Sequence, residues 1–198
     1  MEIDWSPGIG DPTFWGWTTV AAYFLAASLS VRSVRASQLV DPQWHSESVF
    51  WLILAVALFG LGLNKQLDLQ TLLTELARAM AKEDGWYQDR RAYQEAFIFI
   101  ITALGAATIL MILAGLRKSC SEIKIAATGA IFVICFVVIR AASFHKVDAL
   151  ISSDFFGMTW NALLELPGIL LVSGSALVYS QRTSRRNLKL KRSARSQK

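Results

Sequence analysis

Long apolar runs broken by short polar clusters set the pattern of this chain. Five runs stand out, at residues 14–31, 49–63, 96–116, 123–144 and 160–179. A helix needs about 20 apolar residues to cross roughly 30 Å of hydrocarbon. The runs therefore predict five transmembrane helices, the second of them short. Between the second and third, Leu69, Leu72, Leu73, Leu76 and Met80 recur at helical spacing, with Glu75 and Arg78 on a polar side. Such a segment is amphipathic but not apolar enough to span, so residues 69–82 are expected to lie along the interface. The predicted fold is thus an all-α, polytopic membrane helix bundle. It has five transmembrane helices and one interfacial helix in a single domain, 1–181, followed by a basic tail, 182–198.

Local signals refine this outline. Trp15 and Trp17 open the first run at the depth where amphipathic rings collect. Ala22 and Ala26 form a small-xxx-small face suited to close helix packing. Asp41-Pro42 marks a turn, and Ser46 or Ser48 is placed to cap the second helix. Pro167, two residues after Glu165, removes the amide that would bond the Leu163 carbonyl and predicts a kink. The acidic start, MEIDWSPGIGDP, lacks the basic region of a signal peptide, so the first apolar run is expected to remain in the mature chain.

Composition agrees with a membrane protein. The chain has 198 residues, 54% of them hydrophobic, and a mean hydropathy of +0.40, too apolar for an ordinary soluble domain. Its net charge of +5 is concentrated at the C-terminus. Residues 182–198 hold eight Lys/Arg and no acid, so subtracting eight leaves −3 for the remainder. With five spans, Arg32, Arg35, Arg117, Lys118, Lys124 and the tail all fall on one side. The positive-inside rule then sets the N-terminus out and the C-terminus in. Next to a span, the tail is expected to bind anionic lipid rather than nucleic acid. Cys120 and Cys135 fall at different depths and are read as free structural thiols.

In that orientation most unusual polar residues gather at the outer ends of the spans. Asn64, Lys65, Gln66 and Asp68 lie at the end of the second, and Arg140, His145 and Asp148 at or beyond the end of the fourth. Asn161 and Glu165 lie at the start of the fifth. Charges inside apolar runs are costly unless paired, and the similar depths of Arg140 and Glu165 predict an ion pair between them. His145 and Asp148, three apart, can share a helical face, with the carboxylate orienting the imidazole for acid–base work. Zinc normally needs three or four ligands, and the only other histidine, His45, falls on the opposite side, so no metal site is predicted. No sequence feature specifies a cofactor.

The stretches WSPGIGDPTFWGW, LNKQLDLQ, GWYQDRR and RAASFHKVD together resemble the signature stretches of a family of bacterial integral membrane proteins without an assigned biochemical role. The resemblance covers most of the chain and implies a multi-pass protein of the bacterial inner (plasma) membrane. It implies no catalytic residues.

Two functions are compatible with these features. One is an extracytoplasmic polar pocket, formed by Asn64, Lys65, Asp68, Arg140, Asn161 and Glu165. It would bind a small or lipid-linked ligand, or dock a partner membrane protein or a second copy of the chain. The other is a hydrolase or transferase acting at the outer leaflet, with His145 and Asp148 as its catalytic pair. An ion pathway is disfavoured because the inner ends of the spans show only basic residues.

Overall fold

A computed structural model describes residues 11–40, 46–67, 90–115, 119–142, 154–155 and 158–196. The chain is α-helical, and the described residues form five helices: α1 Phe14–Val40, α2 Ser46–Leu67, α3 Arg90–Gly115, α4 Ser121–Ala142 and α5 Trp160–Ser196. A two-residue antiparallel ladder, β1 Asp154–Phe155 with β2 Met158–Thr159, leads directly into α5. Among the described residues α1, α2, α4 and α5 are long and apolar enough to cross a membrane. The expected interfacial helix at 69–82 lies outside the described residues.

The helices extend beyond the apolar runs because nothing in the flanking sequence breaks them. Arg32 and Arg35 are good helix formers, and α1 runs on to Val40, just before Asp41-Pro42. α5 continues through Pro167, which is exposed, and past the apolar stretch to Ser196. At the N-terminus of α1 the Thr13 hydroxyl accepts the Gly16 amide at 3.0 Å and donates to Asp11 at 2.6 Å. This is an N-cap, which satisfies a backbone donor that the helix cannot. A side chain at Gly16 would collide with Asp11.

Helix α1 packs against α2 and α5, α4 packs against α5, and α3 packs against α4. The core is formed by Tyr23, Ala26, Trp51, Leu58, Ile169 and Val172 with their neighbours. Ala26 is fully buried, as the small-residue face predicts. Glycine allows the closest approach. A Cβ at Gly129 would lie 2.6 Å from the Gly168 carbonyl oxygen, and one at Gly168 would lie 2.9 Å from that of Gly129. Contact of this kind drives helix association in lipid, where apolar side chains gain nothing by leaving hydrocarbon. Serine and threonine hydroxyls within the helices bond carbonyls one turn back, as Ser30 does to Ala26 and Ser173 to Ile169, both at 2.8 Å. This internal satisfaction lets them sit among apolar residues.

Candidate functional site

Long side chains bridge α2 and α5 at both ends of the bundle. Toward the end of α2, Lys65 reaches Glu165 in the second turn of α5. Its Nζ donates to Oε1 at 3.1 Å and Oε2 at 3.0 Å. The two side chains retain only 5% and 4% of their exposure. A buried charge pair of this kind offsets two desolvation penalties only with good geometry and additional hydrogen bonds.

Two neighbours are unsatisfied. Gln66, next to Lys65, has both amide atoms buried without a hydrogen-bond partner. Asn161, one turn before Glu165 on the same helical face, buries its Oδ1 in the same state. An unpartnered amide costs about 1–3 kcal/mol. The Gln66 amide and the Asn161 oxygen thus lie beside the ion pair without partners among the described residues.

The predicted site residues thus divide. Lys65 and Glu165 meet, and Asn161 lies on the same face as Glu165. Asn64 is exposed. Asp68, His145 and Asp148 lie outside the described residues. Arg140 falls in the last turn of α4, and its side chain, with the expected Arg140–Glu165 pair, lies outside the described set. Sequence reading placed Gln66 among the polar residues at the end of the second span but left it out of the pocket. It also missed Lys65 as the partner of Glu165, since the two are 100 residues apart.

The opposite end of the bundle is more polar than the sequence pattern suggests. Tyr179 donates to Glu47 Oε2 at 2.9 Å, and Ser37 bonds Ser48. Ser48 therefore ties α2 to α1 as well as lying in the first turn of α2. Ser33 Oγ meets the Ala176 carbonyl at 2.9 Å, linking α1 to α5. Glu122 pairs with Arg182. Trp51 is fully buried with its ring 5.3 Å from that of Tyr179, and its Nε1 has no partner. The expectation that this end offers only orienting basic residues is thus corrected. Ser30, Ser33 and Ser37 share one face of α1, a periodic signal that single serines inside apolar runs do not announce.

Both cysteines are free. They are fifteen positions apart along α4 and its approach, about 22 Å at the helical rise, so no bridge can join them. Burial pushes the Cys120 thiol up against the lowering pull of the Ile123 amide, and the nearby Glu47 and Glu122 carboxylates add to the rise. A raised thiol holds less thiolate at any given pH, and the thiolate is the nucleophile. In a Cys135→Ser background, maleimide labelling of Cys120 is expected to be slow at neutral pH. Its pH midpoint should lie above that of an ordinary cysteine and fall toward it in Glu122→Gln. A midpoint at or below the ordinary range contradicts the described packing.

No protein-family model matches this chain, and neither a curated protein nor a solved structure is significantly similar to it. The site's chemistry therefore rests on its own residues. It combines the buried Lys65–Glu165 ion pair with the Gln66 amide and the Asn161 Oδ1, which have no hydrogen-bond partner among the described residues.

Proposed function

We propose that this chain is a five-span protein of the bacterial inner membrane, with its N-terminus outside and its C-terminus in the cytoplasm. The Lys65–Glu165 end then faces the extracytoplasmic side. There it binds a small or lipid-linked ligand or docks a partner membrane protein. The observation that carries this reading is the buried Lys65–Glu165 pair flanked by the unpartnered Gln66 amide and Asn161 Oδ1. Ionisable groups at membrane depth are expensive to keep and mark functional sites by default. The basic stretch after Arg182 supports the orientation, because Lys and Arg are enriched in cytoplasmic segments.

Native mass spectrometry of the chain purified in mild detergent tests the site. A co-purifying small molecule, lipid or protein is expected with the wild type and lost from an Asn161→Leu, Gln66→Leu double variant. Recovery of the wild type as an empty monomer contradicts the reading. The orientation is tested separately with a reporter at Lys198, which should be active only in the cytoplasm.

A further inference from the structure

Helix α5 runs well past its apolar stretch, which ends near Tyr179, and continues to Ser196. No proline or glycine lies between Gly174 and Ser196, and sharp kinks occur mostly at such residues. The segment from Arg182 to Ser196 therefore extends the span as one rod of about 21 Å, at roughly 1.5 Å per residue. It carries seven Lys/Arg, five of them Arg, and no acid. All seven are exposed. Among the described residues Arg182 alone of them meets a carboxylate, that of Glu122.

At about 100° per residue, these cations spread over about 220° of the helix circumference. The strip they leave holds Thr183, Asn187, Leu190 and Ala194. Thr183 and Asn187 are half-buried, so this strip is the one turned toward the bundle. Leu188 and Leu190, 61% and 53% exposed, stand about 160° apart around the helix. The rod therefore has no apolar stripe. That disfavours three partners. A helix lying on lipid needs an apolar face. The rod's distal half also begins about 10 Å beyond Arg182, past the screening length of roughly 8 Å at physiological salt. The lipid contact expected of a basic tail requires a turn back toward the headgroups, which α5 does not make. A protein groove takes a helix by apolar anchors at i, i+3, i+4 and i+7, which are missing here. A second copy of the chain presents the same charge and repels.

We infer that the rod of α5 is a docking surface for duplex DNA, held through its phosphates without regard to base sequence. The inference goes beyond the proposed outer pocket and rests only on the proposed orientation, which puts the rod in the cytoplasm. Protein–DNA interfaces are polar and strongly positive, as this surface is. The major groove of B-DNA, about 12 Å wide, admits one α-helix between two phosphate-bearing walls. Cations over most of a circumference can reach both walls, whereas an acidic protein surface would meet one side alone. Guanidinium groups grip phosphate oxygens through two parallel bonds, which suits the predominance of Arg. With Arg182 assigned to Glu122, six of the seven cations remain for phosphate.

The test places the full-length protein in phosphatidylcholine nanodiscs and follows a short fluorescent duplex DNA by anisotropy over a salt series. Binding is expected with Kd of about 1–100 µM near physiological salt, and log K should fall with log salt at a slope of about −5. The triple variant Arg185→Gln, Lys189→Gln, Arg192→Gln alters exposed positions only and should reduce that slope by about 3. Arg32→Gln with Arg35→Gln, exposed cations at the same end of α1, should change it little. An equal drop there assigns binding to the whole basic end and overturns the α5 site. Duplex RNA, whose deep and narrow major groove excludes a helix, should bind about tenfold more weakly. Equal binding of RNA overturns the groove-seated geometry. Polyglutamate competing as well as unlabelled DNA assigns the rod to an acidic protein and overturns the inference. So does a probe on Ser196→Cys, in a Cys120→Ser, Cys135→Ser background with phosphatidylglycerol discs, that headgroup quenchers reach as readily as one on Gln181→Cys. No binding at low salt overturns it as well and leaves the orientation standing, because nanodiscs expose both faces. A reporter at Lys198 active outside the cell overturns the orientation and, with it, access to DNA.

Discussion

Glu165→Ala is expected to destabilise the protein by about 3–5 kcal/mol, the cost of leaving one member of a buried ion pair behind. Lys65→Met should also destabilise, because it removes the cation that donates to both Glu165 oxygens in a site from which water is excluded. The pair is nearly dry, at 5% and 4% exposure, so solvent screening does little to reduce the penalty. The double variant Lys65→Met, Glu165→Leu removes both charges and should recover most of the loss. Replacing a whole buried pair by apolar residues is often neutral or stabilising. Unfolding in detergent, followed by tryptophan fluorescence over a denaturant series, reads all three. Single losses below about 1 kcal/mol, the range of an exposed pair, contradict the burial. A parallel cycle of Arg140→Gln with Glu165→Gln tests the pair predicted from spacing. Coupling there would give the Glu165 carboxylate a second cation.

Glycine substitutions should divide sharply by position. Gly129→Ala introduces a methyl 2.6 Å from the Gly168 carbonyl oxygen and 2.9 Å from Leu171 Cβ. A backbone carbonyl cannot rotate away as a flexible side chain can, so α4 and α5 must separate. Overpacking of this kind costs about 1–3 kcal/mol, occasionally more. Gly60→Ala and Gly174→Ala meet nothing within 4 Å. They gain the helix preference of alanine over glycine and should stabilise by up to about 1 kcal/mol. The same unfolding assay distinguishes them. A destabilised Gly60 variant beside a neutral Gly129 variant contradicts the described α4–α5 contact.

The helices themselves were legible because apolar windows of spanning length need no partner to be recognised. Helix ends were less so. Arg32 and Arg182 looked like exits from the membrane, yet α1 and α5 continue past them, since charge ends a span without ending a helix. The candidate site was half legible. Lys65, Asn161 and Glu165 stood out as polar groups in or beside apolar runs. Gln66 was noticed beside them but not assigned to the pocket, because an amide at the end of a span looks solvated until its neighbours are known. The polar cluster of Glu47, Ser37, Ser48 and Tyr179 was missed for a similar reason: each residue alone resembles a cap, an interfacial ring or a tolerated serine.

The sequence by itself determined an α-helical chain built of apolar, membrane-spanning runs, because hydrocarbon demands internally bonded backbone over a fixed thickness; it predicted five spans, and among the described residues four helices are apolar and long enough. It also determined which helices carry charges that need compensation. Only the tertiary structure decided which charges compensate one another. Lys65 finds Glu165 because close packing around α1 sets the rotation and depth of α2 relative to α5. Gly129 and Gly168 likewise become a contact only once α4 and α5 are in register. Rotation about a helix axis leaves the hydropathy of a span unchanged, so hydropathy cannot report it. The same rotation leaves the buried Gln66 amide without a partner among the described residues.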